Sequence, residues 1–461
     1  MSVMAQVGQL FEGSSVNRRI FRAAAAVTAA GIVVKLVATL KEVVLAGVYG
    51  RSDAIEAFLA AALIPSLLIN LVSESMNQSL VPTLVRVRAH QGHEKAQQLL
   101  SNSMLCLCLL LGAVSVLAGL GAKAMFPIIA SHFGPEKLGL SIRIFYAMLP
   151  VVLLTGVASN CTAVLNTFDR FALPALAPMA ISLAIIVGTL ALGGRMGIWA
   201  LVYSTLAGSL VHACVVARMM NAHGYKFDLR WHGMTEGTRE VAGQYGPVLL
   251  GGILASGGLL VDQSMAASLA SGSVAALVYA NRFVSVVLTL LAGAVGTAVA
   301  PYFSHMVAES DWRGCRHTLK TWVGLTAAVS VPIAVGLMLG SHLLIRVAFE
   351  RGAFGKQDTA VVAPVLAMYA IQIPFFVSSR VFYRFLIAMR RTDLILYCGM
   401  LNLALDVVLN LVFMRFFGVA GIALATSLWT VSTFFFLWYW TRRLLPVADA
   451  ESVSQPRGST E

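Results

Sequence analysis

The chain has 461 residues, 58% apolar and only 12% charged, where soluble globular chains carry about 45–50% and about 25%. With a mean hydropathy of +0.81 this excludes an ordinary soluble enzyme, and the low charge without a Gly-Pro period excludes disordered and collagen-like chains. The net charge of +12 does not indicate a nucleic-acid partner, because the basic residues sit in short loops between apolar runs and form no single patch.

Taken in chain order, Arg18, Arg19 and Arg22 precede the apolar run Ala23–Val34 and imitate a signal peptide. Eleven further apolar runs make an uncleaved first helix the expectation. Segments of about 20 mostly apolar residues fall at 23–49, 54–83, 99–122, 144–166, 172–193, 197–219, 243–268, 274–303, 321–345, 360–389, 393–415 and 418–441. The fold class is therefore an all-α polytopic membrane protein with about twelve transmembrane helices. Sorting the 33 basic residues by alternate loops puts 19 on the side of both termini, 9 on the other and 5 within spans. By the positive-inside rule both termini are expected in the cytoplasm. The expected divisions are a cytoplasmic N-terminus 1–22, a six-helix bundle 23–220, a polar linker 221–240, a second six-helix bundle 241–443 and a disordered tail 444–461. Six scattered cysteines give no disulfide or metal framework.

The two halves resemble each other. Residues 57–85 superpose on 276–304 at an offset of 219, matching Ala57/Ala276, Ala61/Ala280, Ser66/Ser285, Leu71/Leu290 and Pro82/Pro301. Gly197-Ile198 with Thr205 lies over Gly418-Val419 with Thr426 at 221, and Leu165–Arg170 matches Leu386–Arg391 at the same offset. An offset of six spans makes these parallel repeats, related by a pseudo-two-fold along the membrane normal, with a cargo site expected near the midplane between the halves.

Ionisable groups inside spans are costly unless they face a wet cavity or a partner, so each is a candidate. Lys35, Lys41 and Glu42 lie in the first span, with Lys35 and Glu42 on one face. Glu56 and Glu74 share a face of the second, flanked by Asn70 and Asn77; Asp262 and Arg282 follow in the seventh and eighth. Arg380 and Arg384 lie in the tenth, close enough to its end to snorkel, and Asn402, Asp406 and Asn410 form an i, i+4, i+8 seam in the eleventh. His132 and His212 read as structural residues. Basic groups at the midplane call for an anionic cargo, and the arginine fork suits phosphate oxygens. No phosphate-binding loop of the G-x-x-x-x-G-K-[ST] kind occurs. No cofactor is expected, and energy would come from a coupling ion, the membrane potential or the cargo gradient.

The stretches Lys35–Gly50, Glu56–Pro82, Leu165–Pro178, Leu269–Pro301 and Phe349–Phe354 together resemble the MurJ (MviN) lipid II flippases of the multidrug/oligosaccharidyl-lipid/polysaccharide exporter superfamily, over about residues 20–440. The resemblance implies two six-helix bundles in a V, a central cationic cavity and alternating access. It implies transport, without catalysis, of an undecaprenyl-pyrophosphate-linked saccharide across the bacterial inner membrane. The partners it implies are that lipid-linked cargo and membrane lipids, with the protein a monomer and no nucleic acid bound. The family's cavity arginines fall at Lys35 and Lys41, at Arg282, and at the uncharged Asn70; Glu56 and Glu74 fall at acidic positions. Glu42, Glu56, Glu74, Asp262 and Asp406 would gate the cavity, pair with its cations or couple an ion. Members commonly carry fourteen spans, two more than are drawn here. An exopolysaccharide or O-antigen flippase, or an ion-coupled exporter of small soluble molecules, remains open as an alternative on the same fold.

Overall fold

The structure is a computed structural model that describes residues 15–165, 167 and 172–445. Most of the expected leader 1–22, of the tail 444–461 and of the Leu165–Arg170 repeat turn lies outside the described residues. Within them the regular structure is helical, and ten helices are long and apolar enough to cross a membrane.

Helix α1 (Ser15–Tyr49) ends at Gly50 and is followed by α2 (Asp53–Leu68), a π-helical turn (Ile69–Ser73) and α3 (Glu74–Ile129). The continuous segment Asp53–Ile129 has 77 residues; straight, it would reach about 115 Å, several times the roughly 30 Å hydrocarbon core. It turns instead at Gly92, where φ is 87° and ψ −179°. The arms fold back, since Val87 and Leu99 side chains both lie 3.3 Å from where a Gly237 Cβ would sit. Next come α4 (Pro135–Leu165), α5 (Ala172–Leu176), α6 (Met179–Met196), α7 (Ile198–Ala222) and α8 (Glu236–Ala267). They are followed by α9 (Ser273–Ala308), α10 (Trp312–Phe349), α11 (Lys356–Ala370), α12 (Gln372–Ala388), α13 (Thr392–Phe417) and α14 (Val419–Leu444).

Two compact units result: Met1–Ala275 with Phe349–Gly355, and Ala276–Ala348 with Lys356–Glu461. In the first, Leu80, Leu84, Leu100 and Leu107 of both α3 arms bury against Val152 and Val164 of α4 and Val216 of α7. Lipid removes the hydrophobic gain from helix association, so close approach through small residues takes its place. A Cβ on Gly208 of α7 would lie 2.7 Å from the Ile181 Cα of α6, and one on Gly188 would overlap Ser204. In the second unit α14 packs on α11, α12 and α13. The tight turns that join α6 to α7 and α13 to α14 have nearly the same backbone, Gly197 at φ 56°, ψ −135° and Gly418 at φ 56°, ψ −133°. The local likeness read from the sequence at offset 221 is thus a likeness of conformation as well.

Candidate functional site

Ser66, Asn70, Glu74, Gln78 and Arg86 are all exposed and recur every four residues, or eight, along α2 and the first arm of α3, while Ala57, Ala61, Val72, Met76, Leu80 and Leu84 are buried on the other side. Four residues of α-helix overshoot a full turn by about 40°, so an i+4 row normally winds around its helix. The π turn at Ile69–Ser73 has roughly 4.4 residues per turn, and four of its residues fall short of a turn, which cancels part of the drift. The polar row consequently stays on one face. Gln78 Nε2 donates to Glu74 Oε1 at 3.4 Å, and Arg86 at the foot of the row pairs with Glu240 of α8. A carboxylate and an amide row on a helix this apolar require water or a polar ligand opposite them.

Elsewhere in this unit, Lys41 pairs with Glu42 at 2.9 Å, their side chains 19% and 3% exposed. Lys35 and Asp262 are half-buried.

Glu56 belongs to a second constellation, at the end where α1 stops and α2 starts. It is 1% exposed. Its Oε1 accepts the Val274 N–H at 2.9 Å in the first turn of α9, where unsatisfied N–H groups favour an anion. Its Oε2 pairs with Lys137 of α4, the cation a buried carboxylate needs. Lys137 Nζ also reaches Asp53 Oδ1 at 2.7 Å and lies 4.1 Å from the Phe133 ring centre. Ser271 Oγ donates to Asp53 Oδ1 at 2.6 Å, and Arg51 Nε donates to the Gly272 carbonyl at 3.0 Å. Three separate turns are clasped together by these bonds. Sequence reasoning picked out Glu56 but missed Lys137, Asp53, Arg51 and Ser271; the offset of 219 that aligns Glu56 with Ala275 was the available hint that these turns correspond.

The Phe349–Gly355 loop docks on the same end. Ala353 N donates to the Gly47 carbonyl of α1 at 2.8 Å, and Phe349 and Phe354, both buried, have ring centres 5.6 Å apart. Gly352 stands at φ 61°, and a Cβ there would overlap the Gly47 carbonyl oxygen.

In the second unit Arg282 is half-buried on α9. Arg380 lies 4.2 Å from the Phe376 ring centre and 5.6 Å from that of Tyr383, a desolvated cation-π arrangement, whereas Arg384 is exposed. The α13 seam faces α14: Asn402 Oδ1 accepts from Thr433 at 2.9 Å, and Asn410 Nδ2 donates to the buried Asp406 Oδ1 at 3.2 Å.

A polar row on a transmembrane helix, a clasp of buried charge at one helix end and a buried carboxylate seam together form the outline of a transporter. The family model for the lipid II flippase MurJ matches residues 45–455. The chain belongs to the MurJ lipid II flippase family. Among similar proteins is one of Synechocystis named "Probable lipid II flippase MurJ", 25% identical over 445 residues, covering 93% of this chain and 83% of that protein. Another, the lipid II flippase MurJ of Burkholderia cenocepacia, is 25% identical over 365 residues, 76% of this chain and 70% of that protein. The fold is that of the solved lipid II flippase MurJ in an inward closed conformation, with a TM-score of 0.77 at 22% identity over 93% of this chain and 89% of that one. A multidrug resistance MATE family transporter of the MOP superfamily in an inward-facing conformation gives 0.73 at 13% identity, over 94% of this chain and all of that one. Family membership makes this a multi-pass bacterial inner-membrane protein of the transporter type.

Proposed function

We propose that the protein moves lipid II from the inner to the outer leaflet by alternating access. The observation that carries this reading is the exposed polar row Ser66–Asn70–Glu74–Gln78 on a membrane-crossing helix of a chain in this family. Such a row gives the sugars and pyrophosphate of the cargo a substitute for water, while the prenyl chain never leaves hydrocarbon. The barrier lowered is the dehydration of the headgroup. Lys35, Lys41 and Arg282 serve as the cations for the pyrophosphate, with Asn70 as a neutral hydrogen-bonding partner. Glu74 and Asp262 tune these cations, and Glu56 holds the gate on the outer side.

Both termini face the cytoplasm, the twelve helices act as a monomer, and no catalytic step or cofactor enters. The free energy comes from the cargo gradient, a coupling ion at a site such as Asp406, or the membrane potential, which supplies about 2.3 kcal/mol per charge per 100 mV.

Reconstitution into vesicles with lipid II, and in parallel with another prenyl-pyrophosphate saccharide, tests the reading. Lipid II is expected to become accessible on the opposite leaflet, and Arg282→Ala is expected to abolish this while leaving a folded protein. Wild-type-like transport by Arg282→Ala overturns the assigned cation, and turnover of only the other saccharide overturns the cargo.

A further inference from the structure

The stretch between α7 and α8 is a fixed strap. Gly224 at φ 83° turns the chain, and Tyr225 swings inward until it is 1% exposed, its ring centre 4.4 Å from that of His93. Gln97 of α3 then grips the Lys226 backbone at both groups, donating to its carbonyl at 2.8 Å and accepting its N–H at 3.0 Å. Asn102 does the same five residues on: its amide donates to the Gly233 carbonyl at 2.8 Å and its oxygen accepts the His232 N–H at 2.8 Å. Thr235 caps α8 by accepting from Thr238 N. The strap therefore descends along α3 by about 7.5 Å, five residues of helix rise, and ends beside Asn102, where α3 turns apolar.

Two features of this strap have no part in the proposed cargo path. Phe227, Leu229, Trp231 and Met234 are 40%, 42%, 47% and 60% exposed, although the chain turns between them, the Arg230 N–H donating to Asp228 Oδ1 at 3.2 Å. At the strap's start a cavity of about 290 Å³ opens, lined by Leu84, Val85, Arg88, Ala89, Thr167 and Tyr225. Among the described residues that line it, Arg88 carries the charge. Burial pushes the Tyr225 phenol up, against a smaller opposing effect of Arg88, so the hydroxyl remains a protonated donor.

We propose that the strap and this cavity bind an anionic phospholipid of the leaflet that the strap touches. The lipid phosphate sits by Arg88, and the strap's apolar row lies at the boundary between headgroups and hydrocarbon. The chemistry fits a lipid better than a soluble anion, because an exposed row of aromatic and aliphatic side chains beside a membrane helix belongs at the interface, where tryptophan concentrates. Lys226, exposed beside these side chains, adds attraction for an anionic surface, while Arg230 lies 3.8 Å from Asp228. The inference rests on the membrane reading of the chain and not on the nature of its cargo.

Brominated lipids test it in the reconstituted full-length protein, with the Trp231 signal taken as the difference from Trp231→Phe. Lipids brominated near the headgroup end of the chain are expected to quench Trp231 more than deeply brominated ones. Brominated phosphatidylglycerol is expected to outcompete phosphatidylcholine about five-fold, the preference one basic side chain supplies at a membrane surface, and Arg88→Gln is expected to reduce the ratio to near one. Equal quenching by both lipids in the unaltered protein, or no quenching, overturns the proposal, the latter leaving the row to a protein partner. Loss of the preference on adding 10 mM inorganic phosphate overturns it in favour of a soluble phosphate ligand. A protein that shows the lipid preference but turns over no lipid II overturns the cargo and leaves this site intact.

Discussion

At the residue scale the sharpest consequence attaches to Lys137. Removing one partner of a buried ion pair costs about 3–5 kcal/mol, because the other charge stays buried and uncompensated, whereas an exposed pair is worth about 0–1 kcal/mol. Lys137 has both kinds: the Glu56 side chain is 2% exposed and Asp53 68%. Lys137→Met is therefore expected to destabilise the clasp by several kcal/mol, and Asp53→Asn by less than about 1 kcal/mol. Adding Glu56→Gln to Lys137→Met is expected to restore most of the loss, since the amide oxygen still accepts the Val274 N–H and no charge is left stranded. Thermal unfolding of the four proteins decides this, and a Lys137→Met as mild as Asp53→Asn would show that Glu56 needs no cation. Glu56 was legible in the sequence because an acid near the end of an apolar run stands out. Lys137 was not: it sits in the first turn of α4, outside the apolar runs and 81 residues from its partner, among the nine basic residues that a topology count assigns to the outer side. Pairing across such a separation leaves no local pattern to read.

At the scale of elements, hydropathy located the helices because the energetic demand is severe: every backbone polar group in hydrocarbon must be bonded within its own helix. The same demand hides irregularities. The π turn after Pro65 lies inside a span whose hydropathy does not mark it, and only the exposed row it keeps in register reveals its effect. The stretch 221–240 was legible as polar but not as structured, since its order comes from Gln97 and Asn102, two amides in a distant helix. The Phe349–Gly355 loop was notable in sequence for its likeness to a family motif, and the structure gives that motif a physical reason. At φ 61° a residue with a Cβ incurs about 1–2 kcal/mol of strain, and at Gly352 the Cβ would also strike the Gly47 carbonyl that accepts the Ala353 N–H. Gly352→Ala is accordingly expected to lift the loop from α1 and speed hydrogen exchange at the Ala353 amide by about ten-fold or more, as 1.4 kcal/mol corresponds to ten-fold. Unchanged protection at Ala353 would mean that the close approach is not what holds the loop.

At the scale of the whole molecule, sidedness joins the two ends of the first unit to separate roles. Arg51 and Lys137, both from the minority set of basic residues, gather at the clasp end, together with the docked loop that carries Arg351. Arg86, Lys95, Lys226 and Arg239 gather at the other, around the Gly92 turn and the strap. The helices that connect these ends alternate in direction as the loop count requires, so the charge asymmetry of the sequence is also an asymmetry in space. By the positive-inside rule we expect the strap in the cytoplasm and the clasp outside. Single cysteines decide it: one at Arg195, exposed in the last turn of α6, and one at Glu94, exposed beside the strap. In a background with Cys214→Ser, which removes the exposed native thiol, a membrane-impermeant thiol reagent is expected to modify position 195 in intact cells and position 94 only after permeabilisation. The reverse pattern would put the clasp in the cytoplasm, turn Glu56 and Lys137 into an inner gate, and move the lipid bound at Arg88 to the outer leaflet.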